Sequence, residues 1–172
     1  MLGLALAVPF LFSSAEEQSA VALEEGRARI AAGDDAAAIP LLNSALKLNP
    51  QNLEAKRAVA GALLRQGKTE QAKSVYNDLV LQDPEYLEGQ IALATIAYTT
   101  YDFAAAHSFA AAALALDPGN GDAQSIAIAL QVEDAIAAED SAAIAEAQDK
   151  AQALMLEQPD NLTALRAVIR AT

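Results

Sequence analysis

Few side chains in this chain of 172 residues could do chemistry, and they do not converge. There is one histidine, His107, and no cysteine. A single imidazole cannot build a histidine metal cluster. Without thiols there is no disulfide, no thiol nucleophile and no cysteine-ligated metal. A hydrolytic triad needs a serine, a base and a carboxylate brought together, and no serine stands out for that role. His107 lies in AAAHSFA and reads as a partly exposed side chain packing beside Phe103. The stretch DPGNGD, from Asp117 to Asp122, is superficially calcium-like. It lacks the alternating oxygen ligands and the distal glutamate of an EF-hand loop. No GxxxxGK phosphate loop occurs. The expectation is no enzyme, no metal and no cofactor. A carboxylate acid–base pair on an acidic face is the enzymatic alternative.

Charge narrows the partners. The net charge is −12, and residues 1–73 are neutral, with eight basic and eight acidic groups. Between Lys73 and Lys150 there is no Lys or Arg, while thirteen acids run from Asp78 to Asp149. That sign is wrong for nucleic-acid phosphates and is repelled by anionic lipid. The acids read as a solvated face, with a docking surface for a basic protein segment as the sharper alternative. The expected partner is therefore a protein or peptide, basic if charge is to match.

The elements that must carry such a surface are helices. Apolar residues make up 53% of the chain, enough for a core, and alanine and leucine favour helix over strand. Residues 1–15, MLGLALAVPFLFSSA, are uncharged and precede Glu16 and Glu17. They read as the apolar core and cut site of a secretory signal, with Ser13 and Ala15 flanking the cut, although no Lys or Arg comes first. At this length they fall short of a spanning helix. Export to the periplasm or beyond is the expectation. Anchoring to a membrane through an incomplete N-terminal segment is the alternative.

The remainder, 16–172, is repetitive. Pro50, Pro84 and Pro118 lie 34 residues apart, and each closes a similar phrase: ALKLNPQN, LVLQDPEY and ALALDPGN. A fourth phrase, LMLEQPDN, ends at Pro159 and Asn161. Gly33 and Gly67 share the same spacing and suit helix stops. Tyr101 takes that place in the third repeat and is expected to be exposed. Ala38, Ala72 and Ala106 share one phase; Ala45, Leu79 and Ala113 share another. The repeats run at about 19–52, 53–86, 87–120 and 121–161, with a partial fifth at 162–172. From Pro118 to Pro159 is 41 residues, seven beyond the period. With its turn at Glu139–Ser141, the fourth hairpin should gain about one helical turn on each arm. Leu165, Val168 and Ile169 are expected to cover its open face.

The 34-residue period, the closing prolines, the turn glycines and the small alanines at fixed phase resemble the tetratricopeptide repeat family. The resemblance spans residues 19–172. Ala22, Lys56 and Gln90 depart from it where an early aromatic is usual. The resemblance implies an all-α, right-handed superhelical solenoid of antiparallel helix hairpins, with the first helices lining a concave groove. Helical periodicity then places Leu23, Arg27 and Ile30, then Glu54, Arg57, Leu64 and Arg65, then Glu88, Ile91, Thr95 and Tyr98 towards that groove. Arg27, Arg57, Leu64, Ile91, Thr95 and Tyr98 are the expected contact residues. Tyr98 leads, because aromatics concentrate binding energy and the third repeat is rich in them. The resemblance also implies an interaction scaffold or adaptor, in the cell envelope if the chain is exported: assembly, secretion or polysaccharide export. The alternative is an N-terminal interaction region of a larger protein whose activity lies downstream.

Overall fold

The computed structural model describes residues 14–171. Nine helices and no strand occur among them: α1 (Ala15–Ala31), α2 (Asp35–Leu48), α3 (Leu53–Arg65), α4 (Thr69–Gln82), α5 (Leu87–Thr99), α6 (Phe103–Leu116), α7 (Gly121–Ala137), α8 (Ser141–Glu157) and α9 (Leu162–Arg170). The chain divides into two compact blocks, Met1–Lys68 and Thr69–Thr172.

The helix ends follow a rule that sequence chemistry explains. The first helix of a hairpin stops at a left-handed residue: Gly33 (φ 76°), Gly67 (φ 70°), Tyr101 (φ 62°) or Glu139 (φ 54°). An aspartate then opens α2, α6 and α8, with Asp34, Asp102 and Asp140 each accepting backbone N–H bonds at the helix start. Asparagines do the same for α3, α7 and α9, through Asn52, Asn120 and Asn161. Each cap satisfies donors that the helix geometry orphans, contributing about 0.5–2 kcal/mol. Gln90 and Gln124 tie the proline turns down: their amides donate to the carbonyls of Pro84 and Pro118 at 2.9 and 2.8 Å.

In the first block, α2 packs on α1 and α3. Ala38, Leu42 and Ala45 are fully buried. A Cβ on Gly26 would lie 2.6 Å from Leu42 Cδ2, so glycine permits that approach. The block also buries polar side chains: Ser19 donates to the Ala45 carbonyl at 2.9 Å and accepts from Asn52 at 3.2 Å.

In the second block, one core joins Ala94, Ala97, Ala106, Ala110, Ile126 and Leu130 from α5, α6 and α7. The next joins Ala129, Val132, Ala147, Ala151 and Ala167 from α7, α8 and α9. Alanines let the helix axes approach, and their close packing supplies dispersion contacts that larger, poorly fitted side chains would not. The expected lengthening of the fourth hairpin is present. Helices α7 and α8 each have 17 residues, against 13 for α5 and 14 for α6. Its seam is closed by Asn161, whose amide donates to Ser125 Oγ at 2.6 Å and to Gln158 Oε1 at 2.9 Å.

One expectation is corrected at α9. Ala164 and Ala167 are the residues it buries, with Val168 partly covered. Leu165 and Ile169 are 37% and 63% exposed. In α5 the equivalent face, at Gln90 and Ala94, is buried, with Ala94 in one core with Ala106 and Ala110 of α6. No second helix follows α9 among the described residues, so that face stays open. At the other end, residues 1–13 of the expected signal segment lie outside the described residues. Ser14 and Ala15 are the N-cap and first residue of α1, and Ser14 forms a reciprocal capping box with Glu17.

Candidate interaction grooves

Each block carries a groove at the ends of its first helices. In the first block, Arg27, Ile30, Glu54, Arg57, Ala58, Gly61 and Arg65 line a shallow groove of ≈ 350 Å³. This brings together Arg27 and Arg57, as the helical stripe requires. Leu23 is buried instead, and Leu64 is partly buried. The groove is ion-paired. Arg27 contacts Glu24 at 3.2 Å and Glu54 at 2.9 Å. Arg65 grips Asp35 with two hydrogen bonds of 2.9 and 2.7 Å. The Arg65 hydrogen bond holds the Asp35 carboxyl below its ordinary pKa, outweighing a smaller rise from desolvation.

The groove of the second block is larger and of different chemistry. Tyr98 and Thr99 of α5, Tyr101 of the turn, Phe103 of α6, Glu133 of α7, and Arg166, Ile169 and Arg170 of α9 enclose ≈ 860 Å³. Tyr98 touches both cores of the block, so its ring is anchored from two sides. Burial raises its phenol pKa, with the Glu133 charge adding to the rise. The phenol therefore stays neutral throughout the physiological range. Phe103 stands between the two tyrosines, 5.9 Å from Tyr98 and 6.0 Å, edge-on, from Tyr101. Such ring pairs add about 0.5–1.5 kcal/mol beyond area burial.

Glu133 and Arg170 commit to each other. The guanidinium donates twice to the carboxylate, from Nε at 3.1 Å and Nη2 at 3.3 Å. That pairing raises the Arg170 pKa further. Arg166 makes no hydrogen bond or ion pair among the described residues.

Of the other expected contact residues, Ile91 and Thr95 are partly buried. Ile91 packs against the α5–α7 core, and the Thr95 hydroxyl is spent on the Ile91 carbonyl at 2.9 Å. His107 Nε2 lies 3.0 Å from Asp134. Sequence reasoning missed Glu133, Arg166 and Arg170. The signal was available for the arginines. Arg166 follows Pro159 by seven residues, as Arg57 follows Pro50 and Ile91 follows Pro84. Arg170 holds the phase of Thr95. The stripe read in the first three repeats had only to be continued into the fifth.

A family model of the tetratricopeptide repeat matches residues 29–96. No curated protein matches the chain. Among solved structures, the tetratricopeptide-repeat domain of Arabidopsis OM64 is 24% identical, with a TM-score of 0.65, over 69% of this chain and 98% of that one. A MamA protein is 18% identical, with a TM-score of 0.70, over 90% of this chain and 81% of its own. YrrB, described as a tetratricopeptide-repeat protein with an unusual peptide-binding site, is 13% identical, with a TM-score of 0.63, over 87% and 82%. Taken with the 34-residue period and the hairpins that it dictates, these likenesses show that the chain has the tetratricopeptide-repeat fold, with residues 29–96 matching the family's model.

Proposed function

We propose that the chain is a protein–protein interaction scaffold whose main contact site is the groove beside Tyr98. The observation that carries this reading is the convergence of Tyr98, Tyr101 and Phe103 on one concave surface of a repeat fold. Rigid aromatic area of this kind is what interface hot spots are made of. YrrB, of the same fold, is described by its peptide-binding site. The setting we propose is the cell envelope, in assembly, secretion or polysaccharide export, supported by the uncharged run 1–15. Cleavage after Ala15 would remove the Ser14 cap and leave a free amino group at the start of α1, where the helix dipole disfavours positive charge. The first turn of α1 should then fray in the exported form.

Affinity capture from native extract, followed by mass spectrometry, identifies the partner. Surface plasmon resonance against it should find that Tyr98→Ala weakens binding by more than about 1 kcal/mol, mainly through faster dissociation. Tyr98 also supports two cores, so circular dichroism must show the variant folded. A folded Tyr98→Ala that binds the captured partner as wild type does would place the contact elsewhere.

A further inference from the structure

We infer that the groove beside Tyr98 selects protein segments with an acidic side chain among apolar residues, the carboxylate seated on Arg166. The inference rests on the proposed interaction role of this groove. Three observations carry it.

The first is charge within the lining. Glu133, Arg166 and Arg170 are its ionisable pair and its surplus cation. The Glu133 carboxylate is already taken by Arg170 at 3.1 and 3.3 Å. What remains to be answered is one guanidinium. A guanidinium presents five donors in a planar fork suited to a carboxylate.

The second is the company Arg166 keeps. Tyr98, Phe103 and Ile169 share its groove, so a segment seated there would lose water on both sides of the ion pair. Charge-assisted hydrogen bonds strengthen as the local dielectric falls. Of the thirteen acids between Lys73 and Lys150, Glu133 lines the groove and is taken by Arg170, and Asp102, between Tyr101 and Phe103, accepts from the Ala105 N–H at its helix start. At physiological ionic strength exposed charges are screened beyond about 8 Å, so the lining decides what is held.

The third is Tyr101. It is 81% exposed and stands at φ 62°, where the first two turns use glycine. A bulky residue in that region is strained, because its Cβ crowds the following carbonyl. A ring kept there at a cost, on the rim of the groove, points to contact rather than to folding. It closes the groove's outer edge beside Phe103.

The test uses three fluorescein-labelled, C-terminally amidated peptides in which leucine alternates with Glu, Gln or Lys. Amidation removes the terminal carboxylate, leaving only side-chain charge to be read. Fluorescence anisotropy with the full chain should give about tenfold tighter binding of the Glu peptide than of the Gln peptide. Arg166→Gln should bring the two to parity. Tyr101→Gly should weaken both peptides several-fold without lowering thermal stability, a separation that a structural role would not give. Equal binding of Glu and Gln peptides, or a preference that survives Arg166→Gln, overturns the inference. If both then lose affinity in Tyr98→Ala, the interaction reading stands without it. Tightest binding of the Lys peptide would overturn it in favour of a basic partner. If none of the peptides binds, the interaction reading of this groove falls as well.

Discussion

The two blocks solve the same problems with different residues. Both must reverse the chain after a first helix, and all four turns use a left-handed residue, followed at once in three of them by an aspartate that caps the next helix. The early turns use Gly33 and Gly67; the later ones use Tyr101 and Glu139. Both blocks line a groove with arginine. In the first, Arg27 and Arg65 are held by Glu54 and Asp35. In the second, Arg170 is held by Glu133 and Arg166 is not held. One repeat backbone thus tolerates turns relaxed by glycine in one block and turns carrying side chains in the left-handed region in the other. Of the two side-chain-bearing turns, Tyr101 lies on the aromatic groove and Glu139 does not.

The glycine turns should be the most sensitive. A Cβ at Gly33 or Gly67 would meet nothing within 4 Å, so substitution there tests backbone conformation alone. Gly67→Ala should lose about 1–2 kcal/mol, read as a lower urea midpoint at unchanged slope. No loss would mean that the turn relaxes to another conformation, and the contrast with Tyr101 would lose its meaning. The reverse change, Glu139→Gly, should gain about 0.5–1 kcal/mol, because relief of strain outweighs the entropy of an added glycine. Glu139 is exposed and has no ring partner to lose. Tyr101→Gly should gain less, close to zero, because the edge-on contact with Phe103 goes too. A large loss in Tyr101→Gly would show that the tyrosine is structural.

Much of this was legible beforehand, for a physical reason. A repeat turns sequence spacing into spatial adjacency, so Pro50, Pro84 and Pro118 fix the hairpins, and seven extra residues must lengthen both arms of the fourth. Ala38, Ala72 and Ala106 are fully buried because one phase meets one environment each time. The Asn caps are equally present in NPQN, DPGN and QPDN, and the Asp caps directly after Gly33, Tyr101 and Glu139, since short polar side chains at those positions bond the helix start. The second groove was half legible. Tyr98 lies in the third repeat and its charged neighbours lie in the fourth and fifth, beyond an insertion that shifts the register. The facing of α9 is not legible from apolar character alone. In a first helix two faces are apolar, and only one of them has a partner here.

The smallest effect probes the self-satisfied groove. Asp35 has its pKa depressed from an ordinary 3.8, chiefly by the Arg65 hydrogen bond. A depressed folded pKa means that the unfolded chain takes up the proton first. The contribution to stability is therefore complete above the ordinary value, fades as pH falls below it, and is gone beneath the folded value. Arg65→Ala should return the Asp35 titration, followed by carbon-13 NMR of its side-chain carboxyl, towards 3.8. High salt should shrink the same shift in the wild type, because Arg65 is half exposed and screening reaches it. An unchanged titration midpoint in Arg65→Ala would mean that the ion pair does not hold in solution. The first groove would then offer a second guanidinium free to bind carboxylates, and the contrast between the blocks would rest on the aromatic rings and the turns alone.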